Sequence, residues 1–173
     1  MSQHMIIPRK DINHFSFSNI YKAIAFDADK TLRYTINSKY PFPVDGTDWE
    51  FMPNVLNVMH TYYTPRSAIR YAIITNQSGI ANGTVMYGPV KDMLNDLATA
   101  VFKNREVDIY VCHHNKDAQC PCRKPSPYSL LRFAFTRNLR LDEILYVGDS
   151  MNDFVSADRA GINFVWSVDF FGW

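Results

Sequence analysis

Ala23-Ile24-Ala25-Phe26-Asp27-Ala28-Asp29-Lys30-Thr31-Leu32 is the stretch from which the fold can be read. A short apolar run ends in two aspartates one residue apart, with a threonine two positions further on. Such a run, bounded by polar residues, reads as a strand buried in a sheet, here over residues 21–26. Unpaired carboxylates do not stay in a core, so a buried strand that stops in Asp27 and Asp29 delivers them to a site.

Further strands are expected over residues 70–75, 107–112, 144–147 and 164–166. Helices are expected between them. Pro53 opens one over 54–63, with Val55, Leu56, Val58 and Met59 at helical spacing. A second runs from Gly88-Pro89 to about residue 104, with Val90, Met93, Leu94, Leu97, Val101 and Phe102 on one face. A third starts at Ser126 or Pro127 and reaches 137, and the last covers 153–160 and stops at Gly161. This alternation predicts an α/β fold: a Rossmann-like, doubly wound parallel sheet with helices on both faces. Residues 30–49, punctuated by Pro41, Pro43 and Gly46, read as a loop too short for an inserted cap domain. Residues 1–19 read as an N-terminal tail or an edge hairpin, and 20–173 as a single domain. His60 is expected to be structural or exposed, and Trp166, Phe170, Phe171 and Trp173 to close the core.

Composition excludes several classes. The 173 residues are 47% hydrophobic and 20% charged, as in ordinary globular proteins. A net charge of +1 gives no global attraction to nucleic acid or membrane. No apolar run approaches the ~18 residues of a membrane span, and the first ten residues lack the apolar core of a secretory signal. A cytoplasmic protein is the expectation, as a monomer or weak dimer.

Three predicted strands end in oxygen-bearing residues: Asp27/Asp29/Thr31, Thr75/Asn76 and Asp149/Asp153. Ligands of parallel sheets lie beyond the carboxyl ends of the strands, so these clusters converge, and Lys124 can reach the same edge. Phosphoryl transfer to a carboxylate needs this set. An anionic carboxylate approaching a phosphate is repelled unless cations and hydrogen-bond donors surround the phosphoryl oxygens. Magnesium on Asp27 and Asp149 supplies one positive centre and Lys124 another. The Thr31 hydroxyl, the Asn76 amide and backbone N–H groups take the remaining oxygens. Asp27 is then the nucleophile, forming an aspartyl phosphate, and Asp29 the proton shuttle.

Phe26-Asp27-Ala28-Asp29-Lys30-Thr31, Ile74-Thr75-Asn76, Lys124 and Gly148-Asp149-Ser150-Met151-Asn152-Asp153 resemble, in order, the four motifs of the haloacid dehalogenase superfamily. The resemblance implies Asp27 as nucleophile and Asp29 as acid/base, its backbone carbonyl also on magnesium. It implies phosphate binding by Thr75 or Asn76, Lys124 as stabilising lysine, Asp149 as metal ligand, and Asp153 as outer ligand or lysine partner. Aspartate at position 29 resembles the phosphatases rather than the dehalogenases. Lys30 departs from the pattern, standing where those phosphatases usually carry glycine.

All three cysteines fall within eleven residues, an arrangement suited to metal rather than to disulfides. Cys112, His114, Cys120 and Cys122 supply the four ligands of a structural, tetrahedral zinc. His113 is the competing ligand, and reduced buried cysteines are the alternative. Zinc would hold the segment that leads into Arg123 and Lys124 at the phosphate. With residues 76–83 (Asn-Gln-Ser-Gly-Ile-Ala-Asn-Gly), this segment resembles the subgroup containing the heptose-bisphosphate and histidinol-phosphate phosphatases. Asn82 departs from it where the heptose enzymes typically carry arginine, and the loop 114–120 is shorter than theirs.

The expected activity is magnesium-dependent phosphomonoester hydrolysis of a small metabolite such as a sugar (bis)phosphate or histidinol phosphate. The alternative is a polynucleotide 3′-phosphatase, with Arg9, Lys10, Lys30, Arg33, Lys39 and Arg123 tracking a nucleic-acid backbone.

Overall fold

Ile24 and Phe26 of the central strand pack into the core on one face of the sheet, while Ala23 and Ala25 face the other. In the computed structural model, which describes residues 6–173 apart from Ser38 and Ser67, this strand is β1 (Ala23–Phe26). It lies between β4 (Arg70–Asn76) and β6 (Ile144–Gly148), with β5 (Val107–Cys112) and β7 (Asn163–Trp166) outside them. The order β5-β4-β1-β6-β7, parallel throughout, is the doubly wound sheet expected from the sequence. Every residue of β1 and β6 is buried, because helices cover both faces.

The two faces are packed differently. Ile24, Phe26, Tyr71, Ile73, Leu145 and Val147 meet the apolar stripe of α4 (Tyr87–Phe102) and the segments α1 (His14–Ile20), α2 (Val55–Val58) and α7 (Ser167–Phe171). On the other face, the small side chains of Ala23, Ala25 and Ala72 lie under α5 (Tyr128–Thr136) and α6 (Met151–Ala160). Phe170 and Phe171 pack on Phe26 with ring centroids 5.9 and 6.2 Å away, so the aromatic C-terminal segment closes the core as its composition suggested.

Register brings the strand ends together. Phe26 pairs with Ile73 and Val147, and the Asp27 N–H donates to the Val147 carbonyl at 3.0 Å. The residues that follow each strand therefore emerge side by side.

Four local expectations are corrected. Residues 1–5 lie outside the described residues, but 14–20 form a helix rather than a tail or edge hairpin. The Asn13 side chain accepts from Ser16 N–H at its start and Phe17 buries its ring. Ile6 and Ile7 add a short parallel bridge at Phe164. Within 30–49, and just past it, an antiparallel hairpin forms from β2 (Arg33–Thr35) and β3 (Trp49–Phe51). Between them, buried Asp48 accepts from Asn37 N–H, Val44 N–H and the Thr35 hydroxyl, organising a loop whose apolar residues are too few to signal structure. The helix over 54–63 is one α-turn followed by a π-helical turn (Met59–Tyr63), with His60 bonded to the Ala100 carbonyl. Finally, α6 starts two residues early. Asp153 accepts from both the Ser150 N–H and hydroxyl and so caps its own helix. Among the described residues, the chain between β1 and β4 forms only this hairpin and the short helical turns, and α3 (Ser78–Ala81) follows β4.

Candidate active site

Asp27 follows β1 directly and is buried, and the register sets it level with Ile74, just before Thr75, on β4 and with Gly148 at the end of β6. The Lys124 ammonium reaches it at 2.5 Å and, on its other side, Asp153 at 2.6 Å. Lys124 also donates to the Ile74 carbonyl at 2.9 Å and the Tyr146 hydroxyl at 3.2 Å. Burial alone would lower the lysine's pKa. Asp153 and then Asp27 outweigh it and hold the ammonium charged, above the ordinary lysine range.

The carboxylates divide by environment. Burial pushes Asp27 well above the usual carboxyl range; Lys124 opposes this, while Asp153, Asp149 and Asp29 reinforce it. Burial and Asp153 likewise raise Asp149. Asp153 goes the other way: burial would raise it, but Lys124 and hydrogen bonds from Lys124, Ser150 and Tyr146 hold it low. Its oxygens already accept four bonds: Lys124 and Tyr146 on Oδ1, and both Ser150 donors on Oδ2. Asp153 is thus committed to the lysine and the helix start. Oxygens of Asp27, Asp149 and Asp153 lie within 4.8 Å of one another. Hard oxygen donors brought together at low dielectric fit a divalent cation such as magnesium, with Asp27 and Asp149 less committed than Asp153, whose oxygens already accept four bonds.

The remaining predicted residues take more specific places. The Thr31 hydroxyl points back to Asp27 Oδ2 at 3.4 Å. Thr75 is buried and accepts from Gln77 at 2.8 Å. The Asn76 amide, expected on the phosphate, instead spans the Lys124 backbone, donating to its carbonyl at 3.1 Å and accepting from its N–H at 3.0 Å. A side-chain amide matches a peptide group in both directions, so Asn76 braces the lysine's main chain. Arg123 donates to the His114 carbonyl at 3.0 Å and lines the cavity. Lys30 takes a left-handed backbone, φ 65°, in the position where glycine would enter it without strain. The cavity, about 290 Å³, is lined by Asp27, Asp29, Lys30, Phe42, Lys116 and Arg123 among others. Phe42 reaches it because Gly79 has no Cβ; one placed there would lie 2.6 Å from the ring.

The cysteine segment closes beside this site. Cys112 Sγ lies 3.5 Å from Cys120 Sγ and 3.7 Å from His114 Nδ1; Cys122 Sγ lies 3.7 Å from Cys120 Sγ and 3.4 Å from His114 Nδ1. Zn–S bonds of about 2.3 Å give tetrahedral edges of about 3.8 Å, so these four atoms are spaced as a zinc site requires. Burial, then Cys112 and Cys120, push the Cys122 thiol up to about 12, a crowding that a bound cation relieves. His113 stacks on His114, with ring centroids 4.2 Å apart, and is not in the cluster.

Gln77, Tyr146, Ser150 and Arg33 also belong to the site, although sequence reasoning did not select the first three and placed Arg33 on a nucleic-acid backbone. Arg33 is fully buried and paired to Asp29 at 2.8 Å, which corrects that expectation. Gln77 follows Asn76 directly, so adjacency to a motif was the available signal. Tyr146 had none, being indistinguishable from core on an apolar strand.

Residues 22–169 match the family model of the polynucleotide kinase 3 phosphatases. The chain belongs to that family, within the haloacid dehalogenase superfamily. Relatives similar to it include the D-glycero-β-D-manno-heptose-1,7-bisphosphate 7-phosphatase of Helicobacter pylori, 27% identical over 84% of this chain and 80% of the relative. The corresponding α-anomer enzyme of Campylobacter jejuni is 30% identical over 82% and 77%. Among solved structures, the D,D-heptose 1,7-bisphosphate phosphatase of B. bronchiseptica, complexed with magnesium and phosphate, superposes with a TM-score of 0.70. It is 26% identical and covers 83% of this chain and 78% of its own. The protein is a haloacid dehalogenase-type phosphatase, and its Cys/His cluster is compatible with zinc. Among the described residues, no helix is long and apolar enough to cross a membrane.

Proposed function

We propose that this phosphatase hydrolyses a phosphomonoester of a small sugar, with a sugar bisphosphate as the favoured class, through an aspartyl-phosphate intermediate. The observation that carries the mechanism is the Asp27–Lys124–Asp153 line: a buried carboxylate beside the cavity, held by an ammonium whose other side is anchored. Heptose bisphosphate phosphatases among the relatives support the substrate class.

In the first half-reaction, an Asp27 carboxylate oxygen attacks phosphorus and the bond to the sugar oxygen breaks. Protonated Asp29 gives that oxygen its proton, so the sugar leaves as an alcohol. In the second, the Asp29 carboxylate takes a proton from water as the water oxygen attacks phosphorus. The Asp27–phosphorus bond breaks, releasing inorganic phosphate and restoring both carboxyl groups. Lys124 stays charged throughout and offsets the phosphoryl charge. Magnesium, held by Asp27 and Asp149 with the Asp29 carbonyl, would add the second positive centre. Arg123 and Lys30 line the cavity, where their charge would meet the phosphate.

The family model's description favours a second reading, hydrolysis of 3′-phosphates on nucleic-acid ends. Of the basic residues suggested for it, Arg33 is buried and paired to Asp29, which removes it from any path along a nucleic-acid backbone. A panel of sugar bisphosphates, sugar monophosphates, histidinol phosphate, mononucleotides and 3′-phosphorylated oligonucleotides separates the readings. The sugar bisphosphates are expected to give the highest kcat/KM. An oligonucleotide preference would replace this reading with the second.

A further inference from the structure

The Asp29 carboxylate is held at both oxygens by buried donors that reach it from different strand ends. Arg33 Nε donates to Oδ1 at 2.8 Å, and Gln77 Nε2 donates to Oδ2 at 2.7 Å. Arg33 is 0% exposed and Gln77 2%. Among the described residues, Nη1 and Nη2 of Arg33 are buried without a hydrogen-bond partner, and the guanidinium sits 5.8 Å from the Trp49 ring centroid. Its hydrogen bonding is therefore directed at Asp29.

Backbone geometry builds this pair. The Lys30 N–H donates to the Arg33 carbonyl at 2.6 Å, and the Arg33 N–H to the Ala28 carbonyl at 3.1 Å. The left-handed turn at Lys30 thus folds the chain so that Arg33 returns beside Asp29, which it meets in a β-bridge. The hairpin then lays Trp49 against the guanidinium.

A buried cation costs free energy that an apolar side chain of similar volume avoids, so stability alone is a poor reason for arginine here. What the charge does is fix one carboxylate, and that carboxylate lines the cavity beside Asp27. Each carboxylate oxygen has a second lone pair beyond the one these donors use, so a clamped Asp29 still exchanges a proton. Proton transfer requires its group within a few tenths of an ångström of the productive position.

We propose that Arg33 is a positioning residue for Asp29: with Gln77 it locks the carboxylate in the orientation from which it protonates the departing oxygen. This rests on the phosphatase mechanism proposed above for Asp27 and Asp29.

The test uses the full-length enzyme with magnesium and zinc supplied, and a series of substituted phenyl phosphates of graded leaving-group acidity. Because kcat/KM reports the step in which the leaving group departs, its dependence on leaving-group acidity reads proton donation directly. The native enzyme is expected to show a shallow dependence. In Arg33→Met, phenyl phosphate is expected to lose at least ten-fold more kcat/KM than 4-nitrophenyl phosphate, whose departing oxygen needs little help. Arg33→Lys keeps the charge without the planar fork and should recover part of that loss. Gln77→Glu, nearly isosteric and lacking the donor, should steepen the series in the same way, which keeps the test open where Arg33→Met does not fold. A folded variant that loses activity equally across the series, or not at all, overturns the positioning role. Absence of turnover by the native enzyme on every phosphate ester would instead overturn the mechanism, and this inference with it.

Discussion

Lys124 Nζ and Asp153 Oδ1 meet at 2.6 Å in a part of the site where both side chains are almost wholly buried. Asp153 also holds the first turn of α6 through Ser150, so the lysine's position is coupled to that of a helix. Breaking a buried ion pair by removing one partner typically costs about 3–5 kcal/mol, because the other charge is left uncompensated. Lys124→Met should lose stability in that range, and urea unfolding measures it. A change below about 1 kcal/mol would show that the pair contributes nothing net.

Asp27→Asn is expected to cost less stability than Lys124→Met, because Lys124 keeps Asp153 as its charged partner and the amide oxygen can still accept from the ammonium. Turnover of an aryl phosphate should fall by on the order of 10⁴-fold or more, the range seen when a covalent nucleophile is removed. A Tm scan and a steady-state assay on the same sample check both halves. Turnover retained with native Tm would remove Asp27 from the nucleophile's role.

Metal-free protein should respond to pH with a definite sign. Burial, with neighbouring carboxylates, holds Asp27 and Asp149 above the ordinary carboxyl range. A folded state with raised carboxyl pKa values binds more protons than the unfolded chain, so stability falls as pH rises upward from about 4 through those values. Asp153, held low, contributes stability above its unfolded pKa that is lost as pH falls through its folded value. Added magnesium offsets the first effect, so the Tm gain it gives should grow with pH. Thermal melts across a pH series, with and without the ion, would contradict the assignment if that gain were flat.

Lys30→Gly should raise stability and weaken substrate binding. A left-handed backbone at a residue with a Cβ costs about 1–2 kcal/mol, part of which glycine returns as greater freedom of the unfolded chain. The net gain expected is about 0.5–1 kcal/mol. Since Lys30 lines the cavity, KM for a phosphorylated substrate should rise several-fold. Loss of stability would show that the lysine side chain, rather than its backbone, is what the turn requires.

Purified protein should carry close to one tightly held zinc per chain, by elemental analysis. Cys120→Ser should release it and loosen the segment that carries Arg123 and Lys124. The readouts are a lower Tm and a fall in kcat/KM of about 10-fold or more, as for lost support around a site. Fully active protein without zinc would end the idea that the metal holds the lysine.

Much of this was legible from the chain. Strands buried on both faces leave uninterrupted apolar runs such as 23–26 and 144–147, and a carboxylate that interrupts such a run has few places to go but a site. The cluster of Cys112, His114, Cys120 and Cys122 was equally legible, since these residues lie close together along the chain. The hairpin carrying Arg33 was not. Its strands are three residues each, and what holds its loop is Asp48 accepting three hydrogen bonds, which leaves no periodic trace.

By itself, then, the sequence determined which residues lie at the carboxyl edge of the sheet, because strand ends and motif order are local properties. Tertiary structure decided what each of them holds. Asn76 is turned to the Lys124 backbone, Asp153 to the lysine and its own helix, and Arg33 to Asp29 rather than to solvent. Those choices depend on which donors and acceptors are left unpaired when distant segments are buried against one another, and spacing along the chain does not record it.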